Sequence, residues 1–367
     1  MTRRAAIILA GGKASRFQSE KQEWQDKALI QLSGKPLLIH AVKNVQNLVD
    51  EIVISVDNET RKAQYSEILR KHHLRNVRLL VDEKIGQLGG PLVAIYTGLK
   101  LAKADYCLTL PCDMPFIQPK VMEYMLNTVK GTRVVVPMWP NGRLETLLMA
   151  LERKSALEIA STLCNLSVPR SDSLIRGALD VFFVSTVAEI KTFDPELRSF
   201  VNINSREDLA RLQPRHVQGA ATGNMRLYSG TFPAEELRSL RDAALLDKKG
   251  EICNASRAFA SCAENLEADS LFFWIAISRE NEGKTLLKGV QQMKIEQEAS
   301  QALRAKEAIL RAAANYGFEA EVYEKNSQVF LSERARSNRI WCEKLVGKLS
   351  EQGCRTGRVD TTEVFPK

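Results

Sequence analysis

Two segments near the N-terminus have the residue types needed to hold phosphate groups. Leu9-Ala10-Gly11-Gly12 directly follows an apolar run and precedes Arg16. Glycines at this place let backbone N–H groups turn toward a phosphate, and the Arg16 guanidinium adds a permanently charged fork of donors. Lys27 precedes a Ser-Gly turn and a proline at a predicted helix start, and it adds a second positive charge. The pattern predicts a triphosphate-binding loop.

Two acidic residues follow later apolar runs. Asp82 opens a block that contains Gly89, Gly90 and Pro91, where the glycines allow close approach of a flat ligand. There Asp82 is placed to accept hydrogen bonds from a base or sugar, with a turn cap as the alternative. Asp113 ends a strand-like run between two prolines. We expect it to hold Mg2+, since this ion needs only one or two protein carboxylates besides phosphate oxygens and water.

A pair of asparagines near residue 200 forms the last candidate cluster. Asn202 and Asn204 are two residues apart in an extended segment, so both side chains project from one side. Two amides that face the same way can bind a polar heterocycle or a phosphate. Alternatively, Asn204 caps the following helix, or Ser205 does so.

The candidate residues follow predicted strands of an alternating β-α pattern. The predicted strands are Ala5–Ala10, Glu51–Val56, Val77–Val81, Tyr106–Leu110 and Thr132–Pro137. The predicted helices between them are Pro36–Leu48, Glu59–His72, Pro91–Ala102 and Gln118–Val129. This alternation predicts a mostly parallel sheet that is covered by helices on both faces. Ligands of such sheets bind at the carboxyl ends of the strands.

The remainder of the chain has a different character. Residues 213–233 lack periodicity and contain loop-forming residues, which indicates a linker after a first domain of residues 1–212. Residues 234–355 predict an all-α domain with helices near Ala234–Leu246, Cys253–Leu266, Leu286–Asn315 and Ala335–Leu349, followed by a tail over 356–367. We expect a small helical bundle, with a tetratricopeptide-like unit as the alternative. This domain could dock a protein partner.

Composition limits the possible partners and compartments. The net charge of +8 and the pI of about 9.1 favour anionic partners, but no basic stripe interleaved with aromatics indicates nucleic acid. No apolar run approaches the roughly 20 residues that span a bilayer, so we expect a cytoplasmic protein without membrane contact. The seven cysteines include no CxxC pair, which disfavours a zinc site or a disulfide framework.

Taken in order, these blocks resemble the molybdenum cofactor guanylyltransferase (MobA-like) family over residues 1–212. The resemblance rests on Leu9-Ala-Gly-Gly with Arg16, Lys27 before Gly34-Lys35-Pro36-Leu37, Gly90-Pro91-Leu92, Cys112-Asp113-Met114-Pro115 and Asn202-Ile203-Asn204. It implies a Rossmann-like α/β nucleotidyltransferase domain. The implied reaction transfers GMP from GTP to molybdopterin, with or without molybdenum, and releases pyrophosphate.

The resemblance also implies roles for individual residues. Contacts to GTP fall to Leu9, Ala10, Gly11, Gly12, Lys27, Ser55, Asp82, Gly90 and Asp113. Asp113 would hold Mg2+, and Asn202 and Asn204 would lie toward the pterin. Arg16 and Lys27, with Mg2+, would stabilise the charge that develops when the pterin phosphate attacks the α-phosphate in line.

Two departures from the family pattern leave the acceptor open. The segment between Arg16 and Lys27 is longer than the corresponding segment of the family. This longer spacing is more similar to that of sugar-phosphate nucleotidyltransferases. Thr146 stands where related sequences often have the proline of Glu-Pro-Leu. The alternatives are therefore cytidylyl transfer to the same pterin, nucleotidyl transfer to a sugar phosphate, or a non-catalytic nucleotide-binding adaptor.

Overall fold

The computed structural model describes residues 2–11, 26–74, 76–213, 219, 223–290 and 295–355. The chain divides after Tyr228 into two compact units. The first is an α/β unit, and all elements described in the second are helices. No helix in these ranges combines the length and the apolar composition needed to cross a bilayer.

Ten strands are present in the described part of the first unit. They are β1 (Arg4–Leu9), β2 (Gln31–Leu32), β3 (Lys35–Pro36), β4 (Glu51–Val56), β5 (Val77–Val81), β6 (Tyr106–Pro111), β7 (Val134–Met138), β8 (Met149–Glu152), β9 (Asp180–Ser185) and β10 (Met225–Tyr228). β2 and β3 form a small hairpin, and the other eight form one sheet in the order β10-β9-β7-β8-β6-β1-β4-β5. The pairs β5-β4, β4-β1, β1-β6 and β7-β9 are parallel, whereas β8 and β10 run antiparallel to their neighbours.

Seven α-helices accompany this sheet in the described residues. They are α1 (Leu37–Val45), α2 (Glu59–Lys71), α3 (Pro91–Leu101), α4 (Pro119–Thr128), α5 (Arg153–Asn165), α6 (Asp172–Gly177) and α7 (Arg206–Arg211). The central strand β1 is buried from Ala5 to Leu9, as expected for a parallel strand that is covered on both faces. Gly98 lets α3 pack directly on this strand, because a Cβ at residue 98 would lie 2.4 Å from Ile7.

The second unit contains five helices in its described residues. They are α8 (Ala234–Lys248), α9 (Ile252–Glu267), α10 (Phe272–Val290), α11 (Ile295–Lys325) and α12 (Val329–Arg355). Each helix packs against the next one along the chain. Trp274, Phe259 and Tyr316 are almost completely buried and are the largest side chains of this core.

The structure confirms the mixed α/β class followed by helices, and it differs from the prediction in several places. Met225–Tyr228 lies inside the segment predicted as a linker, yet it pairs with β9 at the edge of the sheet. Four further elements were not predicted: the strands β8 and β9 and the helices α5 and α6. The predicted helix Leu286–Asn315 covers the end of α10 and the beginning of α11.

Candidate active site

Three residues that are far apart in the sequence meet at the carboxyl ends of the central strands. Lys27 begins a short 3-10 helix (Lys27–Leu29) that follows β1 in the chain, and Asp113 comes two residues after β6. The Lys27 ammonium forms an ion pair with the Asp113 carboxylate and donates to Asn204 Oδ1 at 2.8 Å. Both charged side chains are about four-fifths buried. β1 and β6 are neighbours, so sheet topology brings Lys27 and Asp113 together.

The Asp113 carboxylate has capacity for a further partner. Oδ2 contacts Lys27, whereas Oδ1 is buried and has no hydrogen-bond partner among the described residues. A buried acceptor of this kind is costly unless a ligand or ion satisfies it. A carboxylate oxygen beside Lys27 is a ligand that suits Mg2+, because this ion takes its other ligands from phosphate and water. The described residues contain no cluster of three or more histidine, cysteine and acidic side chains that could hold a metal ion.

Asp26 holds the segment that carries Lys27. Its buried carboxylate accepts hydrogen bonds from Tyr65 Oη at 2.9 Å and from the Ala28 amide at 3.1 Å, and it pairs with Arg61 Nε at 3.0 Å. Tyr65 Oη also lies 3.1 Å from the Ala10 carbonyl oxygen. Helix α2 therefore ties the end of β1 to the residue before Lys27. Burial, and next the charge of Asp26, raise the pKa of Tyr65 above its usual value, so the hydroxyl stays protonated and donates.

Sequence reasoning missed this network. Asp26 had no role in the predicted phosphate-binding loop, and Arg61 and Tyr65 belonged to a predicted helix without candidate residues. The available signal was their spacing of four residues on one face of a helix that is otherwise rich in polar residues.

A second cluster lies at the ends of β1, β4 and β5. Ser55 is fully buried, and its hydroxyl donates to Asp82. A Cβ at Gly11 would lie 3.8 Å from Asp82 Oδ2, which places the glycine loop beside this carboxylate. Burial raises the pKa of Asp82 to about 6, the Ser55 hydrogen bond acts against this rise, and the nearby Asp57 adds to it. Asp82 is therefore ionised at neutral pH and can accept hydrogen bonds from a nucleotide.

The asparagine segment is tied to the Asp113 loop. The Ile203 amide donates to the Asp113 carbonyl at 3.0 Å. Ser205, and not Asn204, caps α7, because Ser205 Oγ accepts from the Asp208 amide at 3.1 Å. The Asn204 side chain is thereby available to Lys27.

Beyond Asp113 the same segment borders a cavity of about 240 Å3. Its wall includes Asp113, Trp139, Arg143, Glu145, Asn202 and Asn204. These residues follow β6 and β7 or belong to the segment near residue 200, whereas Gly11 and Asp82 lie toward β4 and β5. The Lys27–Asp113 pair thus lies between two regions that could each hold a substrate.

The remaining predicted residues fall into three groups. Leu9 and Ala10 are buried at the end of β1. Gly90 has φ of +102°, which favours glycine, and it precedes α3 beside the Pro169 carbonyl. Gly12 and Arg16 lie outside the described residues.

A mostly parallel sheet with a lysine–carboxylate pair at the carboxyl ends of its central strands is the arrangement expected of an α/β nucleotidyltransferase unit. The family model described as "MobA-like NTP transferase domain" matches residues 6–175 of the chain. A probable molybdenum cofactor guanylyltransferase of Methanosarcina acetivorans is 33% identical over 209 residues, which cover 56% of this chain and 88% of that protein. Its counterpart in Methanosarcina mazei is 31% identical over 213 residues, with coverages of 57% and 89%.

Among solved structures, the molybdopterin-guanine dinucleotide biosynthesis protein A of Archaeoglobus fulgidus is similar at a TM-score of 0.47 and 22% identity. The match covers 57% of this chain and 96% of that one. Through residues 6–212, the chain belongs to the MobA-like nucleotidyltransferase family and is homologous to the molybdenum cofactor guanylyltransferases. The helical unit lies outside these matches.

Proposed function

We propose that the α/β unit transfers GMP from GTP to molybdopterin, with or without bound molybdenum, and releases pyrophosphate. The observation that carries this proposal is the Lys27–Asp113–Asn204 cluster, in which Asp113 Oδ1 is buried without a hydrogen-bond partner among the described residues. The names of the related proteins support the guanylyl donor and the pterin acceptor.

The two sides of the cluster suit two different substrates. Gly11 and Asp82 offer backbone donors and a carboxylate acceptor, which match the phosphates and the nucleoside of GTP. The cavity beyond Asp113 presents two amides and a second carboxylate, which match a polar heterocycle. With one substrate on each side, the acceptor phosphate can approach the α-phosphate in line, and this positioning removes much of the entropic cost of the reaction.

Each residue of the cluster has one task in this reaction. The Lys27 ammonium stabilises the negative charge that develops on the transferring and leaving phosphates. Asn204 accepts a hydrogen bond from Lys27 and so orients the ammonium. Asp113 would hold Mg2+, which supplies further charge neutralisation when it is bound. Burial raises the pKa of the neighbouring Cys112 thiol to about 12, which disfavours a thiolate nucleophile at this position at neutral pH.

The test is pyrophosphate release by the full-length chain with Mg2+, molybdopterin and each of GTP, CTP, ATP and UTP in turn. We expect release with GTP only, and only when the pterin is present. Release with CTP would instead support cytidylyl transfer. Release that requires a sugar phosphate would refute the pterin acceptor, and no release with any acceptor would favour the adaptor hypothesis.

Asp113→Asn tests the proposed metal anchor in the same assay. We expect turnover to fall at least roughly a hundredfold, because the amide lacks the charge that Mg2+ requires. Asp269→Asn, at an exposed aspartate of the helical unit, is the matched control and should retain activity. Unchanged turnover of Asp113→Asn at saturating Mg2+ would refute the assignment.

A further inference from the structure

The wall of the cavity beyond Asp113 contains a glutamate to which the proposed reaction assigns no specific contact. Glu145 lies in the loop between β7 and β8 and is partly buried. Asp113 and Glu145 are the two acidic residues of the wall, and Asp113 is already engaged by Lys27. Glu145 therefore gives the cavity a carboxylate that is not part of the phosphate-binding cluster.

Trp139 sets the position of this carboxylate. The indole Nε1–H donates to Glu145 Oε1 at 2.7 Å. Trp139 is only 3% exposed and packs edge-to-face on Phe200, with 5.2 Å between ring centroids. A buried indole N–H needs an acceptor, so the contact holds both side chains. An ionised carboxylate has about four lone-pair sites, which leaves Glu145 able to accept further hydrogen bonds.

The loop backbone is also held in place. The Glu145 amide donates to the Pro137 carbonyl at 3.1 Å, and the Leu148 amide donates to the Glu145 carbonyl at 2.9 Å. The Trp139 amide donates to the Arg143 carbonyl at 2.8 Å. Glu145 is therefore positioned before any ligand arrives, which reduces the entropic cost of binding to it.

We propose that Glu145 determines acceptor specificity by accepting hydrogen bonds from adjacent N–H groups of a 2-amino-4-oxopyrimidine ring. This proposal rests on the proposed function and assigns the part of the acceptor that the cavity recognises. An ionised carboxylate only accepts, and two neighbouring N–H donors on a planar ring match its two oxygens. The asparagines of the wall carry both donors and acceptors, so they discriminate less strongly between ring edges.

The experiment measures equilibrium binding of two probes to the full-length chain by fluorescence titration. One probe is 6-hydroxymethylpterin, and the other is 6-hydroxymethyllumazine, which has an oxygen in place of the 2-amino group. The wild-type chain should bind the pterin roughly tenfold to a hundredfold more tightly, because the charged hydrogen bond is lost and an oxygen faces the carboxylate.

Two variants test the residue and its positioning partner. Glu145→Gln should lose most of the pterin preference, because its amide places a donor against the ring donors. Trp139→Phe keeps an aromatic ring on Phe200 but removes the Nε1–H, so it should weaken the preference by a smaller factor. Glu123→Gln changes an exposed glutamate of α4 and should behave like the wild type. The ratio of the two probe affinities is insensitive to a general loss of folded protein.

The outcomes separate this inference from the proposed reaction. Equal binding of both probes by the wild type, or an unchanged preference in Glu145→Gln, would overturn the assignment of Glu145. Molybdopterin-dependent pyrophosphate release with the same acceptor KM in wild type and Glu145→Gln would also overturn it, while the transfer reaction would stand. A pterin preference that depends on Glu145, without pyrophosphate release, would support the assignment and refute the reaction.

Discussion

Replacing Asp82 by asparagine should stabilise the α/β unit and weaken nucleotide binding at the same time. The carboxylate of Asp82 is largely buried beside Ser55 and has the like charge of Asp57 nearby, which together explain its pKa of about 6. Keeping this group ionised at neutral pH costs folding free energy. A neutral amide at this position would avoid that cost, and its carbonyl oxygen could still accept from Ser55.

The size of the effect follows from the rise in the pKa of Asp82 from 3.8 to about 6. That rise corresponds to about 3 kcal/mol, and screening by solvent at this partly exposed group reduces it to about 1–2 kcal/mol. The folded state binds the proton more tightly than the unfolded state, so the cost is absent below pH 3.8 and complete above a pH of about 6. At a pH of about 5 roughly half of it remains.

Differential scanning calorimetry of the full chain at about pH 5 and about pH 7.5 measures this difference. We expect Asp82→Asn to raise the melting temperature of one transition by about 2–8 °C at the higher pH and by about half as much at the lower pH. Calorimetric titration with GTP should show affinity reduced at least roughly tenfold, since a charged acceptor is lost. Asp269→Asn is the control. No stabilisation at the higher pH, or equal stabilisation at both pH values, would refute the inferred energetic cost of burying the charged Asp82 carboxylate. Unchanged GTP affinity would refute the role of Asp82 in nucleotide binding.

Three further predictions concern the same unit. Lys27→Ala should lower kcat for pyrophosphate release roughly a hundredfold or more, with a smaller change in the KM for GTP, because the ammonium acts mainly in the transition state; equal effects on both would contradict this. Tyr65→Phe removes the hydroxyl that donates to Asp26, so the free energy of unfolding should fall by about 1–2 kcal/mol in denaturant titrations and kcat should fall with it. A chain that ends after Tyr228 should remain folded and active, whereas one that ends after Leu212 lacks β10 and should unfold at lower temperature; identical melting curves would show that β10 adds no stability.

The central part of the fold could be predicted from the sequence because its strands have a strong signal. Glu51–Val56 and Val77–Val81 have the predicted bounds, since apolar and β-branched runs between helices are typical of parallel strands. The edge strand Met225–Tyr228 has four residues, only one of which is buried. So short and exposed a segment has no periodicity that distinguishes it from a linker, and its pairing with β9 depends on the rest of the sheet.

The sequence alone determined which side chains are available for chemistry and in which order they occur along the chain. The types and order of the motif residues indicated a nucleotidyltransferase, and they predicted Lys27 and Asp113 as charged groups of its phosphate-binding site. Only the tertiary structure decided which groups meet. Lys27 and Asn204 are 177 residues apart, and their contact depends on strand order and on the Ile203–Asp113 backbone hydrogen bond. The Trp139–Glu145 hydrogen bond spans only six residues of one loop, whereas the packing of Trp139 on Phe200 joins that loop to a distant part of the chain.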